Sequence, residues 1–175
     1  MIRAALFACL LAFAAPAYAQ GPGVSTGPIT DQPTRDGLTA EVRAGRAACA
    51  GCDLFQADLS YLDLTGRNFS GSRLRQADLS LSEADRARFH GANLSIANLF
   101  GGRFSHADFT NANLGRAVLV GAYLGGAHFN GAVLTEANFS GAELTHAVGL
   151  TQAQLNTACG DSSTVLPAGM TIPTC

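Results

Sequence analysis

Ala92-Asn93-Leu94-Ser95-Ile96 and Ala97-Asn98-Leu99-Phe100-Gly101, followed by Ala107-Asp108-Phe109-Thr110-Asn111 and Ala112-Asn113-Leu114-Gly115-Arg116, repeat one five-residue unit. From Leu54 to Leu144 every fifth residue is Leu or Phe, with Ala84 as the one exception, and Ala stands two residues before most of these centres. A beat of five matches neither the alternation of a sheet strand nor the spacing of a helix. A unit this short cannot bury its own apolar pair, so the units must stack as a solenoid.

A second period lies inside the first. Phe69, Phe89, Phe109 and Phe129 recur every twenty residues, and so do Leu54, Leu74, Leu94, Leu114 and Leu134. Four units per turn therefore stack an all-Phe column and an all-Leu column, coil upon coil at about 4.8 Å. Three or five units would scramble both. Ala84 fits the same register: Leu62 and Leu64 are followed one turn later by Ser82 and Ala84, and then by Gly102 and Phe104. Large over small over large keeps a close-packed interior filled.

These A-(D/N)-(L/F)-x-x units resemble the pentapeptide-repeat family over roughly Cys52 to Val148. The resemblance implies an all-β fold, a right-handed quadrilateral parallel β-helix, with the Leu/Phe centre and the small residue two before it facing inward. The other three positions would face solvent. Leu62 and Arg67 break the small-residue rule, both in the first coil. An open end there lets Arg67 reach solvent or the carbonyls of a preceding cap.

The flanks read differently. Residues 1–19 have a charged start, an apolar run and Ala17-Tyr18-Ala19, the pattern of a secretory signal peptide cut after Ala19. The run is shorter than the ~20 residues of a membrane span, and Cys9 lies inside it rather than at the cleavage point. The expectation is a periplasmic or secreted protein with no stable membrane anchor after cleavage. Residues 20–36, rich in Gly, Pro, Thr and Ser, read as a disordered linker. Residues 37–51 read as an N-terminal cap with a short helix over 38–48 that starts near Asp36 or Thr39. Residues 52–148 form the repeat. In the C-terminal cap, 149–175, Thr151 and Gln154 match a capping box, which predicts a helix over 151–158 ended by Gly160. The remaining tail would cover the unpaired edges of the last coil.

After cleavage the chain keeps Cys49, Cys52, Cys159 and Cys175, an even set suited to an oxidising compartment. About five coils separate the ends by roughly 20 Å or more, beyond disulfide reach. The fold therefore permits Cys49 with Cys52 and Cys159 with Cys175. Cys49-Ala50-Gly51-Cys52 also has the spacing of dithiol oxidoreductases and of half a zinc site. No βαβ pattern, second C-x-x-C or following His accompanies it.

Composition narrows the function. The formal charge is −2, and the 11 basic residues are all Arg and scattered, which argues against a nucleic-acid partner. Residues twenty apart share an outer column, so Asp53 faces Arg73, Glu83 faces Arg103, Arg88 faces Asp108 and Arg116 faces Glu136. We read these as ladder pairs. His90, His106, His128 and His146 supply no converging ligand set, and no Ser-His-Asp motif is present. The expectation is a chain with no catalytic, cofactor or metal residues, and no enzyme. Phe100, Val118 and Val120 share one outer face, Tyr123 stands just around the corner and Val133 elsewhere on the wall. This group reads as a contact patch for an unidentified protein partner or a second copy of the chain. The alternatives are a thiol-disulfide oxidoreductase using Cys49 and Cys52, or the mimicry of duplex DNA toward gyrase that the family resemblance brings. The latter requires a strongly acidic surface and a cytoplasmic address. Recognition of ice or a polysaccharide by a regular flat face would require repeated Thr or aromatic columns, and these columns are mixed.

Overall fold

The computed structural model describes residues 32–45 and 49–175. The repeat winds into a right-handed quadrilateral β-helix. Parallel bridges join the residue before each centre to the one twenty positions later, from Asp53 with Arg73 through to His128 with Val148. We number the four faces in chain order, so that Asp53, Asp58, Asp63 and Asn68 open the first to the fourth.

The unit around Leu94 shows why the sequence folds this way, because each of its five amides has an acceptor. Ala92 N–H closes a β-turn on Phe89 O (2.9 Å), Asn93 N–H reaches down to Ser72 O (2.9 Å), and Leu94 and Ile96 N–H reach up to Asn113 O and Gly115 O (2.8 and 2.9 Å). The fifth, on Ser95, finds no carbonyl and donates to Asn93 Oδ1 at 3.1 Å. In the same way the N–H groups of Phe55, Thr65, Thr110 and Ser140 donate to Oδ1 of Asp53, Asp63, Asp108 and Asn138. Where Asp or Asn precedes the centre, its side chain therefore satisfies an amide that the coil cannot.

Every corner needs a residue with positive φ. Gly supplies it at Gly91, Gly101 and Gly121, but Leu81 (φ 56°) and Ile96 (φ 61°) adopt it as well. Inside, the Leu and Phe centres are almost fully buried. Phe69, Phe89, Phe109 and Phe129 stack with successive centroid distances of 5.4, 5.1 and 5.4 Å. Phe104 meets Phe89 edge-on at 6.2 Å. Its ring needs Gly102, where a Cβ would come within 2.6 Å of Phe104 Cε2. The small Ala84, itself buried, lies one coil below.

The first helix, α1, spans Gln32–Arg43. It starts inside the stretch that the composition assigns to a linker, because tertiary contacts hold it: the Arg35 guanidinium lies over the Phe55 ring at 5.6 Å. It stops short of residue 48, since Gly45 turns to φ 77° and its N–H returns to Val42 O at 3.0 Å. Arg67 Nη1 donates to the same carbonyl at 2.9 Å, so this inward Arg reaches the preceding cap. The predicted leader, the linker residues 20–31 and residues 46–48 lie outside the described residues.

The second helix, α2, spans Gln152–Leu155, with the capping box of Thr151 and Gln154 formed. It is shorter than 151–158 because the chain must turn for Cys159 to bridge Asn138. Its last residue, Leu155, is fully buried. Gln154 Nε2 donates to Phe129 O and Ala132 O, both at 2.8 Å, which closes the last coil. Asp161 extends the same logic: its Oδ1 accepts Gly141 N–H at 3.0 Å, where a further coil would have offered a carbonyl.

Candidate interaction surface

The four cysteines form two staples. Cys49 joins Cys52 (Cα–Cα 5.1 Å) and Cys159 joins Cys175 (4.8 Å). Cys49 occupies the foot of the Phe column, one turn before Phe69, and its four-residue segment has the corner geometry of Phe69 to Ser72, with Gly51 at φ 71°. The C-x-x-C pair thus closes a solenoid corner covalently. Both residues are buried, at 1% and 4% exposure, where an attacking thiolate has poor access.

Of the four expected charge ladders, two become ion pairs. Arg73 meets Asp53 at 3.0 Å and Arg116 meets Glu136 at 3.3 Å. Arg103 shares a column with Glu83 but turns to Asp85 instead, at 2.9 Å. Arg88 and Asp108 stand in register without an ion pair between them. Partial burial works against the Asp108 charge, but the hydrogen bonds from Thr110 and the neighbouring imidazoles of His90 and His128 outweigh it and hold the carboxyl below its usual range. Among the described residues no group of three His, Cys, Asp or Glu is placed to hold a metal, and no helix is long and apolar enough to cross a membrane.

The predicted patch is partly assembled. Phe100 (48% exposed) and Val118 (39%) occupy adjacent coils of the second face, with the half-buried Val120 beside Val118. Tyr123 (54%) begins the third face, across a corner that Gly121 leaves bare. Val133 is exposed on the first face, bridged to Asn113, and does not join the others. Two further exposed apolar residues that the sequence reading passed over lie along the same edge. Tyr61 and Leu81, both exposed, occupy the same corner column two coils and one coil below Gly101, respectively. Leu81 folds toward Gly101, where a Cβ would meet Leu81 Cδ2 at 2.8 Å. An apolar strip therefore follows the edge between the second and third faces.

Around that edge the third face holds a shallow concavity of about 420 Å³, lined by Arg103, Ser105, Tyr123 and Glu143. Gly125 stands beside it, next to the Glu143 carboxylate, in the column that carries Thr65, Asp85, Ser105 and Thr145 elsewhere. At the opposite end, a groove of about 340 Å³ runs between α1 and the first coil, past Arg35, Arg43, Phe55 and Asp58. Arg43 Nη1 crosses it to Asp58 O at 2.8 Å.

Comparison with known proteins bears on this fold. A family model described as pentapeptide repeats matches in eight copies over residues 63–101, 86–115 and 112–148. The chain is similar to a pentapeptide repeat protein from the Arabidopsis thaliana thylakoid lumen (32% identity, TM-score 0.31, covering 53% of this chain and 57% of that one). It is similar to HetL from Nostoc sp. strain PCC 7120, a pentapeptide repeat protein involved in heterocyst differentiation regulation (25%, TM-score 0.36, 66% and 62%). A third, alr5209 from Nostoc PCC 7120, has 23% identity, a TM-score of 0.43 and coverage of 83% and 92%. The chain spans about three fifths of the length of the first two. No curated protein matches it. With its coils, its inward Leu and Phe columns and the matched repeats, the chain belongs, through residues 63–148, to the pentapeptide-repeat family.

Proposed function

We propose that this chain is an exported, non-enzymatic solenoid that works as a protein-interaction module, with the edge between the second and third faces as its contact surface. The observation that carries the reading is the strip of exposed Tyr61, Leu81, Phe100, Val118 and Tyr123 gathered along one edge, whereas Ile96, Val133, Val148 and Val165 are exposed apart from it. Exposed apolar residues scattered singly mean little, but a contiguous strip rimmed by polar side chains marks a contact surface. The leader-like N-terminus and the two disulfides support export to an oxidising compartment.

Two other readings are weaker. Thiol-disulfide exchange would have to proceed at a pair buried inside the first corner. Mimicry of duplex DNA would require a dense negative surface, whereas the formal charge is −2 and several carboxylates are paired with Arg. The test is sedimentation velocity of the protein and of a Phe100→Ser, Val120→Ser double variant. The reading expects self-association that the variant abolishes, or, for a monomer, capture of a partner from the native envelope fraction by the parent protein alone. Equal capture by both proteins removes the strip as the contact surface.

A further inference from the structure

We infer that the concavity on the third face is a binding notch for a neutral saccharide, stacked on Tyr123. Gly125 is the first observation. Its φ lies outside the left-handed region and a Cβ there would meet nothing closer than 3.6 Å, so neither backbone nor space demands glycine. The four other residues of its column carry side chains. The missing side chain leaves space beside Glu143 at the one coil where an aromatic residue, Tyr123, occupies the neighbouring outward column.

The second observation is a free donor. In a regular unit the residue at Tyr123 would be Asp or Asn and would accept the amide that follows two positions later. Tyr123 offers no such oxygen, and Gly125 N–H donates to no acceptor among the described residues. A backbone donor beside the notch is therefore left without a protein acceptor.

The third is the arrangement of charge. Arg103, Tyr123 and Glu143 are bridged in adjacent coils of one column, about 4.8 Å apart per coil. Asp85 fixes the Arg103 guanidinium at 2.9 Å, which leaves most of its N–H groups for a ligand. Glu143 accepts the Thr145 hydroxyl, which steadies the carboxylate beside Gly125. Both signs of charge flank the ring. A small cation drawn to Glu143 meets Arg103, and an anion drawn to Arg103 meets Glu143. A neutral ligand with one apolar face and several hydroxyls satisfies donor, acceptor and ring together, and that is the chemistry of a pyranose. The volume lies in the range of small-ligand sites. Such a notch reads one ring at a time, so the mixed columns elsewhere on the wall do not count against it.

The experiment is amide NMR of the isotope-labelled protein titrated with chitotetraose, cellotetraose and maltotetraose, beside tetramethylammonium and acetate at matched ionic strength. The inference expects at least one oligosaccharide to shift the Gly125 resonance and neither ion to do so. It expects Tyr123→Ala and Gly125→Thr each to weaken binding by about tenfold or more with the unfolding midpoint retained. Tyr123→Ala, an exposed substitution, carries the test alone if Gly125→Thr does not fold. No shift from any of the three sugars overturns the inference. So does a shift that persists undiminished in the folded variants, or one that either ion reproduces.

Discussion

The rings of Phe89 and Phe109, twenty residues apart in the chain, lie 5.1 Å apart centroid to centroid and within 6° of parallel. The column that contains them stabilises the solenoid as a chain of nearest-neighbour contacts. Phe109 touches Phe89, Phe129 and Phe104, so Phe109→Ala removes a ring and leaves a void. The expected loss is about 3–5 kcal/mol. Ala84→Leu errs in the other direction by forcing volume beneath Phe104, and the expected loss is about 1–3 kcal/mol. Urea unfolding of both variants measures the two effects.

At the corners, Ile96 is a β-branched residue held at φ 61°, a conformation disfavoured by about 1–2 kcal/mol for residues with a Cβ. Ile96→Gly relieves it. The expected outcome is a gain of about 1 kcal/mol, because part of the relief is offset by lost side-chain contact and by unfolded-state entropy. Gly101→Ala, at the same φ and against Leu81, is expected to destabilise. A shift of both thermal midpoints in one direction would contradict this account of the corners.

Along the second face, Asn98 accepts Phe100 N–H at 3.2 Å, whereas Val118 in the next coil leaves Val120 N–H without that bond. Val118→Asn restores the acceptor, and the expected gain is about 0.5–1.5 kcal/mol. The same substitution removes apolar surface from the strip. A variant more stable than its parent yet weaker in self-association or partner capture is therefore expected, as when function is kept at the expense of stability.

Acid should weaken the fold through specific carboxylates. The Ser60 hydroxyl and amide hold Asp58 below its ordinary value of 3.8, and the Ser163 hydroxyl and the Gly141 amide do the same for Asp161. A folded-state value below the unfolded one contributes stability that is complete above the unfolded value and lost as pH falls through the folded one. The thermal midpoint should therefore stay level down to about pH 5 and fall below about pH 4. Asp161→Asn keeps the oxygen that accepts Gly141 N–H, so its acid-induced fall should be shallower. An identical profile in the variant would remove Asp161 from the explanation.

Much of this architecture is legible in a single sequence because one residue type repeats at one geometric position. The Leu and Phe columns and the small Ala84 follow from the register alone, whereas for Arg67 the register offers solvent or a cap carbonyl and the structure selects Val42 O. What the register cannot supply is rotamer choice and tertiary contact. It places Arg103 above Glu83, but the side chain prefers Asp85. It gives no sign that α1 begins at Gln32, since Phe55 holds Arg35 from a distant part of the chain. The reason for the frequent Asp or Asn before the centres becomes visible only when each amide is traced to its acceptor. Tyr61 and Leu81 occupy corner positions, where side chains look like spacers until the corner is seen to line a face.

The contact strip can be tested most directly by photo-crosslinking in the native envelope, with Phe100 replaced by p-benzoylphenylalanine and, as a control, Asn113 on the first face replaced likewise. The account predicts a discrete protein adduct, a second copy or a single partner, from position 100 and none from position 113. No adduct from position 100, or equal adducts from both, would contradict it.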